Sequence, residues 1–200
     1  MMKQTILLTT ALVVFNCSYA QRNFNDSIAA ARTKLTKNAM ITLGGWAAAN
    51  IATGFVIAGQ TEGEAKYFWR MNGYWNIVNL GLAGLGFAGT RKLETGTTLS
   101  GNLKKQHSVE KLYLLNIGLD MVYITGAFYL KERAGTRTTQ KERDQLKGYG
   151  NSILLQGGFL LILDGVMYAL HHKNTVRVNK KLEQLELNAG PMGFSLRYNF

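Results

Sequence analysis

The chain has a single cysteine, Cys17, three histidines, and twelve acidic residues against twenty-three lysines and arginines. Each scarcity closes off a class of chemistry. Cys17 lies in a stretch that reads as an export leader: Lys3 in a short charged start, an apolar run from Thr5 to Phe15, then Ser18-Tyr19-Ala20 with small residues at the cleavage-site positions. Cleavage after Ala20 gives a mature chain from Gln21 without a thiol, which removes disulfides, cysteine nucleophiles and thiolate metal sites. Lipid modification of Cys17 is the rival reading, although Asn16 and Phe15 are bulkier than a lipoprotein site usually carries. His171 and His172 are consecutive, so they cannot face one metal as an i, i+4 pair does, and His107 has no acidic partner at ligand spacing. No Gly-rich phosphate loop follows a strand, and no serine nucleophile elbow is present. The expectation is a protein with no metal, no cofactor and no catalytic residues, hence not an enzyme.

The shortage of acids leaves a formal charge of +11 and a pI near 9.8. In a cytosolic chain that would suggest nucleic acid; an exported chain rarely meets it, and anionic lipid headgroups become the expected partner. A mean hydropathy of −0.05 is modest for a membrane protein and leaves a soluble periplasmic bundle as an alternative.

What is present is four long apolar stretches with almost no charge: Asn38 to Gly59, Tyr74 to Gly89, Leu112 to Leu130 and Asn151 to Leu170. A membrane-crossing helix needs about 20 such residues, so the third and fourth fit well, the second is short and the first is rich in Ala and Gly. Extended to their capping signals, the helices are expected at about 26–59, 62–91, 108–134 and 139–172. Thr139-Gln140-Lys141-Glu142 matches a capping box, Thr61 to Glu64 has the same spacing, and Ser108 suits the N-cap of the third helix. Short links near Gln60 and Gly135, with a longer one from Lys92 to His107, predict two antiparallel hairpins. The domain plan is a signal peptide at 1–20, a four-helix transmembrane bundle at 21–174 and a tail at 175–200. The tail alternates Phe194, Leu196, Tyr198 and Phe200 with polar residues, which predicts a short β-hairpin or strand turned at Gly190-Pro191.

Each apolar stretch also carries one amide with a small residue two positions later: Asn50/Ala52, Asn79/Gly81, Asn116/Gly118 and Gln156/Gly158. In lipid, small residues that let helices approach and amides that bond between helices replace the hydrophobic drive to associate. The expected polar seam is Asn50, Asn76, Asn79, Asn116, Asp120, Gln156 and Asp164. The two aspartates are its sharpest members, because ionisable groups inside a membrane are costly and mark ion or proton paths when they do not simply fix helix register. Stripes such as Gly44/Ala48/Ala52 leave a homo-oligomer or a membrane protein partner open. Tyr67, Phe68, Trp69, Tyr74 and Trp75 are expected to form an interfacial aromatic belt.

The leader, the four helices, the Trp75-Asn76-Ile77-Val78-Asn79 segment and the aromatic terminus together resemble a domain-of-unknown-function family of small exported helical membrane proteins of Gram-negative bacteria. That resemblance implies the cell membrane as the location, with outer membrane or periplasm as alternatives. It imports no activity. The functional expectation is a non-enzymatic scaffold or assembly partner; the alternatives are a small transporter or proton-coupled channel using Asp120 and Asp164, and a soluble periplasmic bundle that binds lipid. Counting Lys and Arg for a four-span topology with Gln21 outside puts more of them on the exported side than inside, against the usual bias.

Overall fold

A computed structural model of the chain describes residues 22–91, 98–180, 182 and 183 in full. Of residues 2–21, 181, 185–190 and 193–198 only the backbone path is described, helical up to 181 and extended after it. The expected leader and C-terminal hairpin fall outside the fully described residues. Those residues are 92% helical, and the fold is all-α.

The helices are α1 (Met2–Ala58), α2 (Gly63–Gly89), α3 (Leu99–Ala134) and α4 (Gln140–Glu183). The α4 start follows the capping signal: the Glu142 amide donates to Thr139 Oγ1 at 3.3 Å, and that hydroxyl donates to Glu142 Oε2 at 2.9 Å. Two other expected caps do not form. Thr61 Oγ1 donates back to the Ile57 carbonyl, leaving Glu62 as an N-cap with no side-chain bond, and Gly63 makes the turn into α2 at φ +57°. That left-handed conformation strains any side chain. Helix α3 begins at Leu99 rather than 108 because Thr98 caps it, accepting from the Gly101 amide at 3.1 Å, while Ser108 bonds the Lys104 carbonyl inside the helix. Likewise α4 continues past 172 to Glu183.

Packing pairs α1 with α2 and α3 with α4, and α2 also lies along α4; α2 and α3 make no backbone approach among the described residues. Glycine permits the closest approaches. A Cβ at Gly54 would lie 2.8 Å from both Gly73 N and Trp69 O, and one at Gly150 would lie 2.9 Å from Ala127 O. The glycines two positions after the amides have a different role. Around Gly81, Gly118 and Gly158 there is nothing within 4 Å, and Ala52 is exposed. Two residues are about 200° of helix, so an inward amide sends that small residue outward. The amide-x-small unit is therefore not a single contact device.

Polarity is inverted relative to a water-soluble bundle. The largest fully buried side chains are His171, Gln106, Gln156, Asn72, Asn76, Asn102 and Ser152, whereas Leu85, Ile162, Val122 and Leu115 are all more than 60% exposed. On α3 the exposed apolar residues run from Leu112 to Tyr129, about 26 Å at 1.5 Å per residue, against a hydrocarbon layer of about 30 Å. Helices α1, α3 and α4 are long and apolar enough to cross a membrane. Helix α2 is not among them. Asn72, Asn76 and Asn79 lower its hydropathy, and all three are turned inward and buried.

Candidate functional site: an amide hub and an acid-floored cavity

The residues of the expected seam separate into two groups at different depths. The first centres on Gln156 of α4. Its Oε1 accepts from the Trp46 indole at 2.8 Å, and its Nε2 donates to Asn72 Oδ1 at 2.6 Å and, at 3.4 Å, to Asn50 Oδ1. Ser152 Oγ donates to the same Asn72 oxygen, Asn76 Nδ2 donates to the Asn72 carbonyl, and Asn76 Oδ1 accepts from Asn79 Nδ2 at 3.2 Å. One side chain thus ties α1, α2 and α4 together. Asn72 shares a face with Asn76 and Asn79 at helical spacing, as the sequence indicates, whereas Ser152 and Trp46 were not singled out from sequence.

The second group comprises Asn116 and Asp120 of α3 and Asp164 of α4. The Asp120 and Asp164 carboxyls are neighbours, with Asn116 beside Asp164. Asp120 is 2% exposed, and its Oδ2 has no hydrogen-bond partner among the described residues. Both acids line a cavity of about 560 Å³ reached by all four helices, with Leu43 from α1, Leu82 from α2, Tyr113 from α3 and Leu163 from α4 among its apolar walls. Among the described residues, no lysine, arginine or histidine lines it. The cavity exists because α2 and α3 stay apart; the Trp75 and Tyr123 rings bridge that slot edge to face, 4.9 Å between centroids.

The five aromatic residues of the expected belt meet different neighbours. Tyr67 meets Tyr149 of α4, Phe68 meets Trp69, Tyr74 packs on Phe55 of α1 and is half exposed, and Trp75 lines the cavity. These rings follow α2 around its axis, so consecutive residues reach different neighbours.

A third polar cluster went unread in the sequence. Arg32 of α1 donates to both the carbonyl and the side chain of Asn102, whose Nδ2 bonds the Asn25 carbonyl. Gln106 Nε2 bonds the His171 carbonyl at 2.9 Å, Glu110 accepts from Thr175 Oγ1, and His171 stacks on Tyr113. Asn102, Gln106, Glu110 and Tyr113 recur at helical spacing, which was the available signal. This cluster lies beyond Leu112, at the margin of the exposed apolar belt. No group of His, Cys, Asp or Glu among the described residues has the geometry of a metal site.

Fold and cavity together define an all-α bundle with a polar interior, an apolar exterior and three helices able to cross a membrane. The chain belongs to a family of unknown function, DUF6992, which matches residues 42–165 and so takes in the Gln156 hub and both acids of the cavity. No curated protein and no solved structure matches it.

Proposed function

We propose that the protein is an exported integral membrane protein of the bacterial envelope that acts without catalysis, as a scaffold or assembly partner. The observation that carries this reading is the inverted polarity: amides and a histidine buried, Leu, Ile and Val outside. In water such a surface would far exceed the few hundred Å² of apolar patch that a monomer tolerates. Two antiparallel hairpins fit the residue pairs: Gly86 lies against Met40 while Gly73 lies against Gly54, and Gly157 lies against Ile124 while Gly150 lies against Ala127. Basic residues at the bundle ends suit anionic headgroups. The tail adds a strand pair running from Leu185 opposite Tyr198 to Gly190 opposite Gly193.

Alkaline carbonate washing of membranes tests this directly. The protein stays in the pellet until detergent is added, and protease added from one side alone cleaves the basic 131–147 segment at the α3–α4 turn. Full recovery in the wash would overturn the integral membrane reading and favour the soluble periplasmic bundle.

A second reading, a small transporter or proton-coupled channel, is favoured by one observation, the meeting of Asp120 and Asp164 inside an apolar cavity. In reconstituted vesicles it requires proton or cation flux that disappears in Asp120→Asn/Asp164→Asn; flux identical in that variant would eliminate it.

A further inference from the structure

We propose that the cavity between α2 and α3 is a binding site for an amphiphilic organic cation, a compact apolar body carrying one ammonium group, with that group seated on Asp120 and Asp164. The inference rests on the membrane-protein reading and goes beyond it by naming the ligand class.

Three independent features converge on it. The volume, about 560 Å³, lies in the range of about 300–1,000 Å³ common to small-molecule sites. The walls are mostly apolar, with Thr36, Asn79 and the tyrosines as scattered polar groups, and Asn116 and the two aspartates come together at one place. That composition selects an amphiphile rather than a hydrated metal ion. Finally, Asp120 Oδ2 is buried and without a hydrogen-bond partner while its carboxyl has another acid as neighbour. Two acceptor-rich groups with no basic lining residue call for a donor bearing positive charge, and an ammonium group supplies up to three N–H donors.

Access follows from the same geometry. Val78 and Leu82 on α2 face Leu112 and Leu119 on α3 across the slot, and all four are at least 43% exposed. These side chains belong to the apolar belt, so the opening faces the acyl chains. A cation that has partitioned into the bilayer by its apolar body can enter sideways and exchange solvent-poor lipid for the acid pair. Trp75 and Tyr123, which cross the slot, line the same cavity as the two acids.

The test uses the full-length protein in an uncharged detergent, titrated by calorimetry with adamantan-1-ylammonium and, as the uncharged isostere, adamantan-1-ol. The ammonium compound binds saturably and the alcohol at least about tenfold more weakly, the size expected when a charge-assisted bond is lost. Asp120→Asn/Asp164→Asn, verified as helical by circular dichroism, lowers affinity for the ammonium compound to that of the alcohol. If that variant does not fold, Val78→Trp, which narrows the slot and leaves both acids in place, decides the matter by weakening binding of both compounds. Equal affinity for amine and alcohol in the unmodified protein, or no saturable binding, would overturn the proposal. Binding without flux in vesicles upholds the cavity assignment and removes the transport reading alone.

Discussion

Leucine at position 148 drives α2 away from α4. A Cβ there would lie 2.5 Å from Glu64 O, 2.8 Å from Phe68 N and 2.8 Å from Tyr67 Cβ. Two of these are backbone atoms inside a helix, so relief requires moving α2 rather than turning a rotamer. Overpacking that side chains absorb costs about 1–3 kcal/mol, and a clash with backbone lies at or above the top of that range. Movement of α2 also strains the Asn151 to Glu64 bond at 2.6 Å and the edge-to-face Tyr67–Tyr149 pair on either side of the contact. Gly148→Leu is therefore expected to lower the thermal midpoint in detergent steeply. Gly158→Leu, on the same helix with nothing within 4 Å of a Cβ, leaves the midpoint unchanged or raises it, because leucine is the better helix former. Equal midpoints for the two variants would mean that the close approach of α2 and α4 does not support the bundle.

That contrast shows where sequence reading works in this chain and where it stops. Four apolar runs between capping signals identify four helices because helix formation depends on local hydrophobicity and local hydrogen bonds. Thr139 with Glu142 behaves as its spacing predicts. The rival Thr61 signal fails because its hydroxyl finds the Ile57 carbonyl first, a competition that spacing alone does not reveal. Amides are legible as inward-facing, since burying them without partners is expensive. Which glycine meets which helix is not legible. Gly54, Gly148 and Gly150 matter through long-range pairings, whereas a Cβ at Gly45, Gly84 or Gly165 would meet nothing within 4 Å among the described residues.

The candidate site divides in the same way. Asp120 and Asp164 stand out in sequence because acids are rare in apolar helices, and the structure places them side by side. Their cavity depends on α2 and α3 being held apart by partners on their other faces, a property of topology that no segment encodes by itself. His171 shows the reverse error. Adjacent to His172, it looks like an ordinary basic residue near a helix end, yet α4 continues to Glu183 and buries it completely against α3.

Replacing Gln156 with leucine should be the most damaging polar substitution in the molecule. The change leaves the Trp46 indole N–H without its acceptor at 2.8 Å and removes the 2.6 Å donor to Asn72 Oδ1, which keeps only Ser152 Oγ at 3.0 Å. The Asn50 contact, at 3.4 Å, is weak and adds little. An orphaned buried donor or acceptor costs about 1–3 kcal/mol. Interhelical bonds in a membrane average nearer 0.6 kcal/mol because the separated helices also find partners. Two strong bonds with a buried indole between them place the expected loss at about 2–4 kcal/mol. Asn79→Leu is the matched control: its bond runs to Asn76 within α2, so its loss affects no pair of helices and costs under about 1 kcal/mol. Denaturant titration followed by Trp46 emission, in a background with Trp69→Phe and Trp75→Phe, distinguishes the two, because only the Gln156 change releases the Trp46 indole from a hydrogen bond. If both substitutions cost the same, the amides serve individually as buried polar groups and no hub joins α1, α2 and α4.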